Sequence, residues 1–149
     1  RDRYLPLLKL GLPSNLDAWD GYPAERDRIF SLFKNNNSKL ISLAGDTHNA
    51  WFSKLLNNAE EHIGYEFGTP SVTSPGLSEY LNGVNPRELE QGIINANKEI
   101  KWVNTSHRGY TKIYLNESIL KGTFKFIESV LEKSAEISFS KTFTIDPKS

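Results

Sequence analysis

The chain has 149 residues, and its 18 basic and 18 acidic side chains give a formal net charge of zero. A hydrophobic content of 38% supports a buried core, so we expect one domain or a large piece of one. The charges are interspersed, which argues against a nucleic-acid-binding patch and against attraction to an anionic membrane. No apolar stretch approaches the roughly 20 residues that span a bilayer, and no export signal opens the chain.

The chain contains neither cysteine nor methionine. Without cysteine it has no disulfide, no thiolate nucleophile and no cysteine-based metal site. The absence of cysteine does not indicate the cellular compartment, because a chain without thiols can function in any of them. The sequence begins at Arg1 without an initiator methionine. We therefore expect a fragment, with any signal peptide and any upstream catalytic motif lying outside it.

The first predicted elements are a loop, a helix and a strand. Residues 1–22 contain two prolines, two glycines and the turn-forming pairs Ser14-Asn15 and Asp20-Gly21, which is typical of an irregular segment. Pro23 suits the first turn of a helix, and apolar residues recur at three and four residue steps within 29–33. The asparagines at 35–37 end that helix, and the apolar run Leu40–Ala44 predicts a strand.

Two more strands are predicted over 51–56 and 62–67, with a turn at 57–58 between them. In the second of these strands, alternate residues are apolar. Strict alternation places Ile63, Tyr65 and Phe67 on one face.

A second helix has the clearest start signal, preceded by a short helical turn at 77–81. Asn85 suits the N-cap, Pro86 the first helical position, and Glu88 follows three residues after the cap. The predicted apolar stripe of this helix comprises Leu89, Ile93, Ala96 and Ile100.

From Gly109 onward the apolar pattern has a period of two. It predicts strands over 109–115, 120–127 and 135–145, with a turn at 116–118, which together form an antiparallel meander. Because no repeat or linker interrupts the sequence, we treat 1–149 as a single, partial domain. The expected fold class is α/β (α+β), with a mixed sheet and the C-terminal meander.

The sequence Gly45-Asp46-Thr47-His48 directly follows the first predicted strand. It places a carboxylate and an imidazole two positions apart at the end of a strand, and these groups supply oxygen and nitrogen ligands for a metal ion. The alternative is that Asp46 caps a backbone NH while His48 packs against Trp51.

Three blocks of sequence carry a family resemblance: residues 17–26 (DAWDGYPAER), 45–51 (GDTHNAW) and 69–76 (TPSVTSPG). Together they resemble the C-terminal part of PhoD-like, D-type alkaline phosphatases, a branch of the binuclear metallophosphoesterases. That superfamily ends its ligand series with Gly-His-x-His, and here Asp46 stands in the first histidine position. A carboxylate is a harder ligand than imidazole, which suits the iron and calcium ions that the D-type branch is described as holding.

The resemblance implies a metal-dependent phosphoester hydrolase in which Asp46 and His48 are the last metal ligands and the substrate is a phosphate ester. The implied fold is an αββα sandwich, of which this chain is the C-terminal half. The other ligand blocks would come from the absent N-terminal half, so the fragment alone should be inactive. A severed half leaves a sheet unmatched, so we expect self-association or pairing with the missing half. The implied location is periplasmic or extracellular.

The same resemblance suggests five further residues as substrate lining. These are Asp20, Tyr22, Thr69, Ser71 and Arg108. Arg108 opens an Arg-Gly-Tyr sequence similar to one in the family, and a guanidinium group can bind two phosphate oxygens. Each residue also has a structural alternative. Asp20-Gly21 can be a turn, with Trp19 and Tyr22 packing the loop onto the helix that follows. Thr69 and Ser71 can lie in a fixed crossover, and Arg108 can pair with a loop carboxylate.

A second hypothesis is a non-catalytic α/β binding or scaffold module in which Asp46 and His48 are structural. A serine hydrolase is not supported, because no Gly-x-Ser-x-Gly sequence occurs.

Overall fold

A computed structural model describes residues 15, 17–81, 83–134 and 136–146. The fold belongs to the α+β class and combines helices with two β-sheets, as predicted. After a 3₁₀ helix at Trp19–Gly21, the elements are α1 (Pro23–Asn35), β1 (Leu40–Ala44), β2 (Ala50–Leu56), β3 (His62–Gly68), α2 (Leu77–Tyr80), α3 (Pro86–Ala96), β4 (Ile100–Asn104), β5 (Arg108–Leu115), β6 (Leu120–Ile127) and β7 (Ile137–Ile145).

The first sheet is mixed and has the strand order β1-β3-β2-β4. β1 pairs with β3 in parallel, whereas β2 lies antiparallel to both β3 and β4. The second sheet is the predicted antiparallel meander β5-β6-β7. Both predictions about strand direction are therefore confirmed.

The two sheets pack face to face through aromatic side chains. The rings of Phe52 and Phe143 stack with their centroids 3.9 Å apart, and those of Phe67 and Phe124 lie 5.9 Å apart. Gly122 permits this approach, because a Cβ at that position would lie 2.0 Å from the ring of Phe67. These rings belong to the larger apolar cluster, and their burial stabilises the packing of the two sheets.

Helix α1 packs on the opposite face of the first sheet. Pro23 lies in its first turn, and Asn36 follows its last residue. Phe30 is 3% exposed and forms a small core with Leu55 and Ile63. Among the described residues, the layers are therefore helix, sheet and sheet, and the complete αββα sandwich stays a prediction.

The second helix starts as predicted, since the side chain of Asn85 accepts a hydrogen bond from the backbone NH of Arg87. Its predicted stripe is wrong at one position, because α3 ends at Ala96 and Ile100 begins β4. The backbone NH of Ile100 bonds to the carbonyl of Asn97 in the intervening turn. Ile100 therefore pairs with β2 as part of β4 and does not continue the apolar stripe of the helix.

The predicted single face of β3 is also wrong at one residue. Tyr65 and Phe67 face the sheet–sheet core, but Ile63 packs in the helix-facing core. An irregularity in the β2–β3 register pairs Leu56 with His62 and Leu55 with Gly64, which breaks the alternation at Ile63.

The last strand begins at Ile137, and Ala135 lies outside the described residues. The predicted loop over 1–22 falls mostly outside them as well, except for residue 15 and residues 17–22. Within the described ranges, no helix is both long enough and apolar enough to cross a membrane.

Candidate metal centre and adjoining cavity

The connection from β1 to β2, residues 45–49, is called here the site loop. Its backbone has positive φ angles at two residues that carry side chains, +66° at Asp46 and +60° at His48. Residues other than glycine adopt positive φ angles at a cost in conformational energy, although Asp tolerates them better than most. Such strain persists only where the surroundings impose it, and it clusters at functional sites.

The surroundings of the site loop do impose its conformation. The Thr47 hydroxyl accepts a hydrogen bond of 2.6 Å from the indole NH of Trp51. Asn49 is 7% exposed, and its amide donates to the carbonyl of Thr47 and accepts from the backbone NH of Leu77. These bonds tie the loop both to β2 and to the start of α2.

His48 has a defined tautomer in this arrangement. Its Nδ1 lies 3.0 Å from the backbone carbonyl oxygen of Pro75. Because a carbonyl only accepts hydrogen bonds, Nδ1 carries a proton, and in the neutral ring Nε2 therefore keeps its lone pair. Metal-bound histidines commonly donate their other ring NH in this way, which fixes the orientation of the ring.

Asp46 is exposed, and its carboxylate has no hydrogen-bond or ion-pair partner among the residues that the structure describes. The site loop thus presents a carboxylate and an imidazole lone pair that are both free to bind a cation. Within the described ranges, no cluster of three or more His, Cys, Asp or Glu side chains is arranged to hold a metal ion. Metal binding by Asp46 and His48 therefore stays a prediction, and the described part of the chain does not supply a whole site by itself.

The segment after β3 runs beside the site loop, where the NH of Thr69 bonds to the carbonyl of Ala44 at 2.7 Å. The hydroxyl of Thr69 donates to that of Thr111, and the hydroxyl of Ser71 donates to the carbonyl of Ser74. Both hydroxyls take part in internal bonds, which suits the fixed crossover considered as their alternative role. Their part in substrate binding stays a prediction.

Arg108 is buried, with 4% of its surface exposed, and its Nη2 forms an ion pair with Glu79. Its Nη1 donates to the carbonyl of His107. Gly76 leaves room for this guanidinium, since a Cβ there would lie 3.0 Å from Nη1 and 2.5 Å from the carbonyl of Thr105. Arg108 therefore pairs with a carboxylate, as in its structural alternative, but this carboxylate lies in α2 and not in a loop. Phosphate binding by Arg108 stays a prediction.

Asp20 and Tyr22 lie where the chain enters α1. Asp20 accepts a 2.5 Å hydrogen bond from Arg26, and Trp19 packs edge-on against Phe30. Tyr22 is 58% exposed. The contacts of Asp20 and Trp19 match the alternative in which residues 17–26 form a turn packed on the helix. Asp20 also borders a cavity.

This cavity has a volume of about 430 Å³ and lies between the entry to α1, the site loop and the helix-facing side of the first sheet. Its lining includes Trp19, Asp20, Arg26, Thr47, Trp51 and Glu66. Two of the sequence blocks, 17–26 and 45–51, therefore meet around one space. Sequence reasoning assigned no role to Glu66, and the only signal was a charged residue within an apolar strand.

The carboxyl group of Glu66 has an altered proton affinity. Burial raises its pKa, the neighbouring Asp20 raises it further, and a 2.9 Å hydrogen bond from Ser42 opposes the change. A carboxyl group with a raised pKa in a cavity is a candidate for binding or catalysis.

Comparison with known proteins decides the family. A model of the PhoD-like phosphatase family matches residues 5–124, most of the chain. The chain belongs to the PhoD-like phosphatase family. A relative within this family is alkaline phosphatase D of Bacillus subtilis (strain 168), which is 32% identical over 134 residues.

The match to alkaline phosphatase D covers 87% of this chain but only 22% of that relative's length. The chain thus corresponds to a minor part of the length of this PhoD-like protein. No solved structure matches the chain.

Proposed function

We propose that the complete protein is a metal-dependent phosphoester hydrolase and that this chain contributes the metal ligands Asp46 and His48. The observation that carries the proposal is the contact of His48 Nδ1 with the Pro75 carbonyl, which orients the ring in the same loop as Asp46, whose carboxylate has no partner among the described residues. Membership of the PhoD-like family supports phosphoester hydrolysis as the reaction class.

A bound ion would supply a hydroxide near neutral pH and would neutralise charge on the phosphoryl oxygens. The residues of this chain hold and orient two ligands for it. Pro75 fixes the His48 ring, while Thr47 and Asn49 hold the loop backbone in its strained conformation. Iron and calcium are the ions that the family resemblance suggests for a site containing a carboxylate.

Two ligands do not hold a hydrolytic metal cluster, so we expect the isolated chain to be inactive or nearly so. The remaining ligands would come from outside this chain, and pairing with that part would complete the αββα sandwich. In its absence we expect self-association through sheet edges. A periplasmic or extracellular location remains a proposal from the resemblance.

The test uses the complete protein with Asp46→Ala and His48→Ala. We expect metal content, measured by elemental analysis, and hydrolysis of nitrophenyl phosphate to fall together, with activity reduced at least about 100-fold. Glu117→Ala, in the exposed turn between β5 and β6, removes a carboxylate elsewhere and should change neither quantity. Full metal content and activity in both site variants would refute the ligand assignment.

A further inference from the structure

The face of the second sheet that points away from the first sheet is polar. Phe124 and Phe126 of β6 point into the core, so the residues that alternate with them point outward, as do their partners across the strand pair. The six outward residues of β5 and β6 are called here the basic face and are Tyr110, Lys112, Tyr114, Lys121, Thr123 and Lys125. The basic face ends at the pair Arg108–Ile127, where Arg108 is buried against Glu79.

The basic face has three positive charges and no negative charge. None of its lysines forms an ion pair with a residue that the structure describes. The outward residues of β7 continue the surface with hydroxyl groups, and the hydroxyls of Thr123 and Thr142 lie 3.0 Å apart. The acidic residues nearest to these strands in the sequence lie beyond the strand ends, at Glu117, Glu128, Glu136 and Asp146.

The concentration of charge on this face arises from the geometry of the strands. Basic and acidic residues are interspersed along the chain, and we expected no basic patch for that reason. Alternate residues of a strand share one face, so Lys121 and Lys125 point the same way, and pairing with β5 places Lys112 between them. A chain with a formal net charge of zero therefore has a local positive surface.

The composition of this face is typical of a surface in contact with solvent. A sheet face that is covered by helices presents mainly apolar side chains. The basic face and the adjoining outward residues of β7 include no aliphatic side chain. The second helix layer that we expect for the complete sandwich would therefore pack over other strands of this sheet.

Two half-exposed aromatic rings lie among the lysines. Tyr110 is 48% exposed and Tyr114 is 53% exposed. They are four residues apart on β5, which is about 13 Å along the strand at about 3.3 Å per residue. The hydroxyl of Tyr114 accepts a hydrogen bond from the side chain of Asn116. Beside the Tyr114 ring is a shallow recess of about 350 Å³, and all of its lining residues belong to the basic face.

We propose that the basic face binds single-stranded nucleic acid. Unpaired bases stack on exposed aromatic rings, here Tyr110 and Tyr114, while lysines attract the phosphates between the bases. A duplex keeps its bases stacked inside, and an anionic membrane supplies charge without planar rings, so neither uses both kinds of side chain. The basic face includes neither the site loop nor a metal ligand, so its assignment does not depend on the proposed function.

The first experiment tests stacking in the complete protein. Fluorescence anisotropy measures binding of an oligodeoxythymidine of about 12 nucleotides, within the range of about 4–16 that a small single-strand-binding domain covers. An abasic oligomer of equal length and charge is the comparison, and we expect it to bind at least about fivefold more weakly. Denaturing electrophoresis establishes that both oligomers stay intact.

A tyrosine substitution assigns that difference to the basic face. Tyr114→Ala should weaken binding of oligodeoxythymidine at least about fivefold and leave binding of the abasic oligomer unchanged. Tyr80→Ala, at a tyrosine in α2 that is 65% exposed, is the matched control and should change neither. Urea unfolding establishes that both variants are folded.

The second experiment tests the lysines through salt dependence. With three phosphate contacts, the logarithm of the association constant should fall with the logarithm of salt concentration with a slope of about −2, since each contact to a single strand contributes about −0.7. Lys121→Gln should make the slope shallower by about 0.7. Lys34→Gln removes the same charge from α1, on the far side of the first sheet, and should preserve the slope.

Each alternative has its own result. Equal affinity for the two oligomers would overturn the proposal, since the face would then bind polyanions without stacking. Preferential binding of phosphatidylserine vesicles, or no saturable binding of oligodeoxythymidine by the folded protein, would also overturn it. The proposed function is judged separately by metal content and nitrophenyl phosphate hydrolysis, which Tyr114→Ala and Lys121→Gln should leave unchanged.

Discussion

The two faces of the first sheet are packed in different ways. One face meets the second sheet through closely packed rings, including Phe67 at 1% and Phe124 at 0% exposure. The other face has a smaller core around Phe30 and, next to it, a cavity that contains Glu66. The comparison indicates that the sheet–sheet face provides most of the stability, whereas the helix-facing side and the site loop retain unsatisfied polar groups and backbone strain.

The largest expected effect is on the sheet–sheet face. Phe124→Ala removes a fully buried ring and should lower the free energy of unfolding by about 3–5 kcal/mol, because the surrounding rings cannot close the cavity. Urea unfolding measures this change. Tyr114→Ala, on the exposed face of the same sheet, should change stability by less than about 0.5 kcal/mol. Equal losses for the two variants would contradict the packing contrast.

A smaller loss is expected at the site loop. Asn49→Ala removes the bonds to Thr47 and Leu77 and leaves a backbone NH and a carbonyl without these partners, so stability should fall by about 1–3 kcal/mol. Denaturant titration is again the measurement, and Asn95→Ala on the exposed side of α3 is the control. If Asn49→Ala is as mild as this control, the loop conformation does not depend on Asn49.

The third prediction is a gain in stability where the first two are losses. Asp46→Gly relieves a positive φ angle, so it should raise the free energy of unfolding by about 1 kcal/mol. His48→Gly relieves a positive φ angle too but also loses the bond to Pro75, so its gain should be smaller. In the complete protein the same variants should lose metal. Glu60→Gly also relieves a positive φ, of +62°, in the β2–β3 turn, and it should retain metal. A gain of stability at Glu60 alone would indicate that the site loop is unstrained.

The smallest effect concerns pH and the cavity side of the sheet. Because burial raises the pKa of Glu66 in the folded state, its contribution to stability is complete below the ordinary carboxyl pKa of 4.5. That contribution is lost as the pH rises through the raised value. Glu66→Gln cannot ionise, so its unfolding free energy should vary less with pH over about pH 4 to 8.

Unfolding titrations at several pH values test this prediction, and Ser42→Ala provides the matched comparison. Loss of the Ser42 hydroxyl removes a bond that lowers the pKa of Glu66, so the pH dependence should become steeper than in the wild type. An identical pH profile in all three proteins would show that Glu66 titrates as an exposed carboxylate.

Much of the fold follows from local pattern. The start of α1 at Pro23, the cap of α3 at Asn85 and the alternation in the meander each depend on neighbouring residues, so they could be predicted. The errors occur where partners distant in sequence decide the conformation. Ile100 joins a strand because β2 pairs with it, and Ile63 changes face because the β2–β3 register is irregular.

The candidate site divides in the same way. Asp46 and His48 are recognisable because they stand together after a strand, and the family model matches the segment that contains them. Their supporting contacts involve Leu77 and Pro75, which lie 28 and 27 residues away along the chain. No spacing rule links a histidine ring to a carbonyl so distant in sequence.

The sequence by itself determined the α+β class, most of the elements, the family and the two candidate metal ligands, because periodicity, capping residues and short motifs are local properties. Only the tertiary structure decided the tautomer of His48, the pairing of Arg108 with Glu79 and the cavity shared by Asp20, Arg26 and Glu66. Those features arise when segments remote in sequence pack together. Their hydrogen bonds, burial and charge interactions depend on distances that composition and spacing do not contain.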